Sequence, residues 1–230
     1  MLKAVNVYLW DTFVGSASIA DGSPVARFEY SRDIRDLGVE IAPYRTRRFD
    51  RIPEGGKLHM LTLGAIAHLD FNDPLVNSYE DAFEVTRKIV KSAEANERLY
   101  RRMVFNVLAW NCDDHVKNIA YLMDRNGEWT LAPAYDMCYA YNPSGDWTSA
   151  HQMSINGKRR DIGLDDLLAI APQANLRERK ARQIIDQVRA AVEFWPTFAA
   201  EAEVSDEFAT KISQNVANAL GTVPSRFSSI

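Results

Sequence analysis

The stretch from Val104 to Pro143, VFNVLAWNCDDHVKNIAYLMDRNGEWTLAPAYDMCYAYNP, constrains this chain most. It sets an abruptly polar octet, Asn111 to Asn118, between apolar runs. Ionisable side chains crowded between core segments are costly unless they are paired or bind something. The octet therefore reads as a site rather than as packing. The apolar run that begins near Leu99 and ends at Trp110 has the spacing of a helix end. Ile119 to Met123 and Trp129 to Ala132 are short strand-like runs, and Asp124-Arg-Asn126-Gly127 between them carries the Asn-Gly signal of a hairpin. The octet is thus a loop between a helix and a hairpin, with Tyr135-Asp136 just past the second strand.

Asp113 and Asn118 have the D-x-x-x-x-N spacing of a kinase catalytic loop, in which the Asp accepts the substrate hydroxyl proton and the Asn holds magnesium. A second magnesium-binding Asp is expected after a hairpin, and Asp136 stands there. Phosphoryl transfer is mostly positioning and charge neutralisation, so its sites gather carboxylates around Mg²⁺. Two carboxylates ~4 Å apart without a cation repel by roughly 4 kcal/mol near a protein surface. Taken singly, Asp113, Asp114 and Asp136 could equally cap or solvate loops. Metal-dependent hydrolysis by Asp113, Asp114, His115 and Asp136 is a third reading, and no further His or Asp motif supports it.

Six blocks together resemble the C-terminal lobe of the HipA-like serine/threonine kinases, the toxins of toxin–antitoxin pairs. They are Arg48-Phe-Asp-Arg51, Ser78-Tyr-Glu80, Arg101 to Asn106, Asn111 to Asn118, Leu131 to Asp136 and His151 to Lys158. The resemblance implies an α+β fold, with a mainly helical kinase-like lobe over 45–230 preceded by a small antiparallel β cap and linker over 1–44. It implies Asp113 as catalytic base, with Lys117 steadying the transferred phosphate. It also implies Asn118 and Asp136 as Mg²⁺ ligands and His115 as part of the nucleotide-binding loop. The implied cofactors are ATP and Mg²⁺. The implied partners are a small DNA-binding, HipB-like antitoxin and a protein substrate such as an aminoacyl-tRNA synthetase.

The sequence departs from the family in one place. Ile41-Ala-Pro43 is followed almost at once by Arg47-Arg-Phe-Asp-Arg51, where family members carry a nucleotide-covering loop and a strand lysine. Gly55-Gly56-Lys57 reads as a tight turn, because a phosphate loop needs longer Gly spacing before its Lys. The chain thus reads as a short form lacking most of the small lobe. The alternative function is a catalytically inactive, truncated lobe that binds an antitoxin or another partner.

A net charge of −4 over 230 residues gives no reason to expect direct nucleic-acid binding. No signal peptide and no apolar run near 18 residues is found, so a cytoplasmic chain that spans no membrane is expected. Two cysteines, Cys112 and Cys138, are too few for a disulfide framework and read as free buried thiols.

Elsewhere, residues 2–30 read as a strand meander and 31–47 as a linker. Residues 58–75 read as a helix or buried segment ended by Asn72-Asp73-Pro74, and His59 and His68 as ordinary histidines. Ser78 is expected to cap one helix and a second to start near Asn96. The polar loop over 142–163 offers no residue to choose, and His151 reads as a loop residue. Leu164 to Ala171 and Leu176 to about Ala202 read as helices, the latter broken at Pro196. Phe198, and Phe208 in a last helix begun by Ser205, are placed on inner faces.

Overall fold

The computed structural model describes the backbone of 3–9, 12–19 and 27–30, and residues 58–224 apart from 74 and 125. The chain divides into two compact units, Met1–Pro53 and Glu54–Ile230. The expected linker over 31–47, the Arg48–Arg51 block and the Gly55–Lys57 turn lie outside the described residues.

In the first unit β1 (Lys3–Leu9), β2 (Thr12–Ile19) and β3 (Arg27–Tyr30) form an antiparallel meander in sequence order. The register slips between Val7 and Tyr8, where one extra residue enters the β1–β2 ladder.

The second unit is α+β, with seven helices and one three-stranded sheet among the described residues. Its sheet has the order β4 (His59–Thr62), β5 (Ala120–Met123), β6 (Trp129–Leu131). The expected hairpin is present: β5 and β6 pair antiparallel from Tyr121↔Leu131 to Met123↔Trp129, and Gly127 takes φ 76° in the turn. Leu58 to Leu69 is not one buried helix. It is β4 followed by a single helical turn, α1 (Leu63–Ala67), because the backbone of His59 to Thr62 finds a partner strand in β5. Hydrophobic periodicity in so short a run cannot separate strand from helix.

Helix α2 (Tyr79–Ile89) begins at Ser78, whose Oγ accepts from the Asp81 N–H at 3.1 Å, as the cap pattern predicts. Helix α3 (Ala93–Leu108) starts three residues earlier than expected and carries the centre of the core. Leu99, Tyr100, Met103, Val104 and Leu108 on it are fully buried. It packs on α2, on α5 (Glu178–Glu193) and on α7 (Asp206–Thr222). Between these, α4 (Leu164–Ala169) is fixed by Tyr100, whose hydroxyl donates to the Leu167 carbonyl at 2.8 Å.

Pro196 starts a new helix, α6 (Trp195–Glu201), as expected. The break resets the helical phase, so Phe198 does not continue the apolar face of α5. It is 48% exposed, against the expectation of an inner position. Phe208 is likewise 47% exposed and packs edge-on to Tyr139, while Ile212 and Val216 fill the core. Cys112 is buried as expected, but Cys138, two residues past the left-handed Asp136, is exposed.

Two close contacts place the octet on this frame. The Leu63 N–H donates to the Ile119 carbonyl at 2.7 Å, and the Gly64 N–H to the Val116 carbonyl at 3.2 Å. Gly64 is needed for that approach, since a Cβ there would lie 3.0 Å from Val116 Cγ2. Gly64→Ala gains helix propensity but overpacks a buried loop. The expected net result in urea unfolding is a loss of about 1 kcal/mol. A gain would mean that Val116 yields freely.

Asp166 ties the 156–163 loop to α4. Its buried carboxylate accepts from the Gly163 N–H at 3.0 Å, Lys158 Nζ at 2.9 Å and Asn156 Nδ2 at 3.0 Å. Burial pushes its carboxyl up, but these donors more than offset it and hold it below the ordinary value. A depressed folded-state value stabilises above the unfolded value of about 3.9, and the gain is lost as pH falls through the folded one. Asp166→Asn is therefore expected to lower stability at pH 7 and to flatten the stability loss below about pH 4. Parallel stability–pH curves for the two proteins would contradict this.

Candidate active site

The chain leaves α3 through a residue of the wrong type for the turn it makes. Trp110 takes φ 54°, a left-handed position usually given to Gly, and the Asn111 N–H closes back on the Asn106 carbonyl at 2.9 Å. The conformation costs a β-carbon residue about 1–2 kcal/mol. Contacts of the indole offset it: its ring lies 4.4 Å from that of Tyr141, and its Nε1–H donates to the Asn215 carbonyl. The Cys112 N–H then donates to the Ala140 carbonyl and the Ala140 N–H to the Trp110 carbonyl, both at 3.0 Å. The octet is therefore held against the segment that follows Asp136.

Asp113, Asn118 and Asp136 meet at one point. The Asn118 Nδ2 donates to the Asp113 carbonyl at 2.9 Å and to Asp136 Oδ2 at 3.1 Å. Both amide hydrogens are thereby used, and Asn118 Oδ1 accepts no hydrogen bond among the described residues. Asp136 takes φ 55°, a conformation that Asp tolerates, and its carbonyl accepts from Asn111 Nδ2 at 3.2 Å. The Asp113 side chain is 43% exposed and reaches His115 Nε2 at 3.9 Å. The His115 ring sits edge-on to Phe71, and its Nδ1 is buried without a hydrogen-bond partner among the described residues. Lys117 is not drawn to the carboxylates: its ammonium lies over the Phe71 ring, 3.4 Å from the centroid.

Asp114 faces the other way. It is buried, and it accepts from the Tyr79 hydroxyl at 3.0 Å, the Gln152 N–H at 2.7 Å and His151 Nδ1 at 3.0 Å. The Tyr79 oxygen accepts from Asn106 Nδ2 at 2.9 Å, and Asn106 Oδ1 accepts from Asn111 Nδ2 at 3.0 Å. A continuous buried chain of polar groups thus runs from His151 through Asp114, Tyr79, Asn106 and Asn111 to the backbone of Asp136. Burial and the Asp114 charge hold the Tyr79 phenol far above its ordinary pKa, so it remains a donor. Burial, with Asp114, also pushes the Cys112 thiol up to about 12.

This geometry separates the octet's two acids and removes Asp114 from any cluster with Asp113, His115 and Asp136. Among the described residues no group of three or more His, Cys, Asp and Glu side chains could hold a metal ion. An Asp–Asn pair escapes that description. Asn118 Oδ1 and the Asp136 carboxylate are hard oxygen donors of the kind Mg²⁺ takes, so the residues fit that ion. Sequence reasoning missed Tyr79, Asn106, His151 and Gln152 as parts of the site, although all four lie inside blocks that carry the family resemblance. His151 is not a plain loop residue, because Asp114 needs it as a partner.

A mainly helical lobe with one small antiparallel sheet is an α+β fold of the HipA type. A family model described as the HipA-like C-terminal domain matches residues 18–195, and the chain belongs to that family. A Sinorhizobium fredii protein named "Putative kinase Y4dM" is 29% identical over 154 residues, which are 64% of this chain and 37% of that protein. Shewanella oneidensis HipA, solved in complex with HipB and operator DNA, superposes with a TM-score of 0.58 at 15% identity. That match covers 96% of this chain and 62% of the other, and it shows the fold. The chain thus spans less than two thirds of the length of either relative.

Tyr79→Phe removes one hydroxyl that serves both Asn106 and Asp114. The expected cost is about 1–3 kcal/mol, since two buried groups lose a partner. A double-mutant cycle with His151→Gln should show coupling above about 0.5 kcal/mol. Strict additivity would break the buried chain into independent contacts.

Proposed function

We propose that this chain is the catalytic lobe of a HipA-like serine/threonine kinase, which transfers a phosphoryl group from Mg²⁺-ATP to a protein hydroxyl. One observation carries this reading: the Asn118 amide joins the Asp113 backbone to the Asp136 carboxylate at 2.9 and 3.1 Å. In this reading the partly exposed Asp113 carboxylate takes the proton of the acceptor hydroxyl as its oxygen attacks phosphorus. Asn118 Oδ1 and Asp136 would hold Mg²⁺, which would supply neutralisation of phosphate charge. Asn118 is pre-set for this, because its nitrogen is already anchored and its oxygen accepts no hydrogen bond among the described residues. His115 lines the nucleotide side of the loop. Lys117 would leave the Phe71 ring to steady the transferred phosphate. The protein partner is a HipB-like antitoxin, the substrate a translation component such as an aminoacyl-tRNA synthetase, and the compartment the cytoplasm.

A second reading is favoured by one sequence feature, the lack of a Gly-rich loop between Tyr30 and Leu58. It makes the chain an inactive lobe that binds an antitoxin or another partner.

Calorimetric titration of Mg²⁺-ATP separates the two. The kinase reading expects saturable binding at about 1 mM or tighter, weakened at least about tenfold in Asp136→Asn. It further expects Asp113→Asn to lower phosphate transfer by about 10²–10⁴-fold while leaving nucleotide binding in place. A folded chain that gives no heat with millimolar nucleotide would sink the kinase reading and leave the partner-binding one.

A further inference from the structure

A cavity of about 360 Å³ is lined by Cys112 but not by Asp113, Asn118 or Asp136, and the reading above makes no use of it. Its walls are the end of α3, the 141–162 loop and α7. Cys112 and His151 line it, and Asp114, which His151 holds, points to the same side of the loop. The cavity therefore backs directly onto the residues that flank Asp113.

Its chemistry is mixed in a definite way. Trp110 and Tyr141, with ring centres 4.4 Å apart, supply an aromatic wall, and Ile162 and Ala219 add apolar surface. Arg159 and Arg160 supply two guanidinium groups. Arg159 donates to the His151 carbonyl and Arg160 to Ser149 Oγ, but neither has a carboxylate at ion-pair distance among the described residues. Burial and the neighbouring Arg160 charge lower the pKa of Arg159, and the Asp114 charge acts against them. Asp161 stands in the same wall, so the lining side chains carry one net positive charge rather than two, and the Asp114 charge behind His151 offsets part of that of Arg159.

We propose that this cavity binds a small aromatic monocarboxylate, its ring against Trp110 and Tyr141 and its carboxylate on Arg159 and Arg160. A single net positive charge suits one carboxylate and disfavours a polyanion such as a nucleotide triphosphate. The volume suits a one- or two-ring molecule. Guanidinium groups hold carboxylates with paired, charge-assisted N–H donors. The occupant would touch His151 and Cys112 and so press on the back of the octet. The site stands whether or not the chain is a kinase.

The test is calorimetry on the full chain with naphthylacetate and its neutral amide, naphthylacetamide, in magnesium-free buffer. The acid is expected to bind at about millimolar affinity and about tenfold more tightly than the amide. Two variants should move the acid in opposite directions. Arg160→Gln should weaken it by about fivefold or more, and Asp161→Asn should strengthen it by about two- to fivefold. Asn is suited to the left-handed φ of 52° at position 161, so the second variant should keep its backbone. Asp136→Asn should leave the affinity unchanged. Equal affinity for acid and amide would overturn the proposal, as would an acid affinity unmoved by either charge variant. So would binding lost in Asp136→Asn, which would place the ligand at the octet's other face, or the absence of saturable heat with the acid.

Discussion

The buried carboxylate of Asp114 holds three segments distant in sequence in one place. Tyr79 comes from the first turn of α2, Gln152 and His151 from the loop beyond the hairpin, and Asp114 itself from the octet. A carboxylate with almost no exposed surface is tolerable only because donors surround it. Remove one donor and the remaining group keeps its desolvation cost without compensation, which is larger than the net value of any one bond. The arrangement is therefore all-or-none, and it fixes the octet's path before any ligand arrives.

From that fixed path the rest of the site follows. With Asp114 pointing inward, Asp113 points outward and stays partly exposed. Val116 is buried against Gly64, which pins the middle of the octet to β4 and α1. Asn118 then arrives within reach of both the Asp113 carbonyl and the Asp136 carboxylate. Asp136 is held in a left-handed turn whose carbonyl Asn111 grips, and Asn111 reaches back through Asn106 to Tyr79. The exposed candidate ligands thus rest on a buried polar chain, so their geometry is preorganised by groups that never meet a substrate.

Much of this was legible in the sequence for identifiable reasons. Asn126-Gly127 between strand-like runs announced the hairpin, because few other residues accept the turn. Ser78 before an apolar stripe announced α2, and Pro196 announced the break after α5. The Asp113–Asn118–Asp136 spacing announced three residues that do converge. Other features were not legible. Leu58 to Leu69 carried the apolar content of a helix, and only the distant strand at 120–123 makes its first part a strand. Phe198 and Phe208 looked like core because an apolar residue reveals nothing about helical phase after a proline or at a helix end.

His151 marks the boundary most clearly. In sequence it is one histidine in a polar loop, 37 residues from the acid it contacts. By itself the sequence determined local matters: where helices begin and stop, where the chain turns, and which polar residues are too costly to bury without a purpose. Those are settled by backbone preferences and neighbours a few residues away. Only the tertiary structure decided which of two adjacent acids faces inward, that Lys117 lies on Phe71, and that Arg159 and Arg160 share a cavity with an aromatic wall. Each of these depends on contacts between distant segments, and their burial and electrostatic terms exist only once the chain has closed around them.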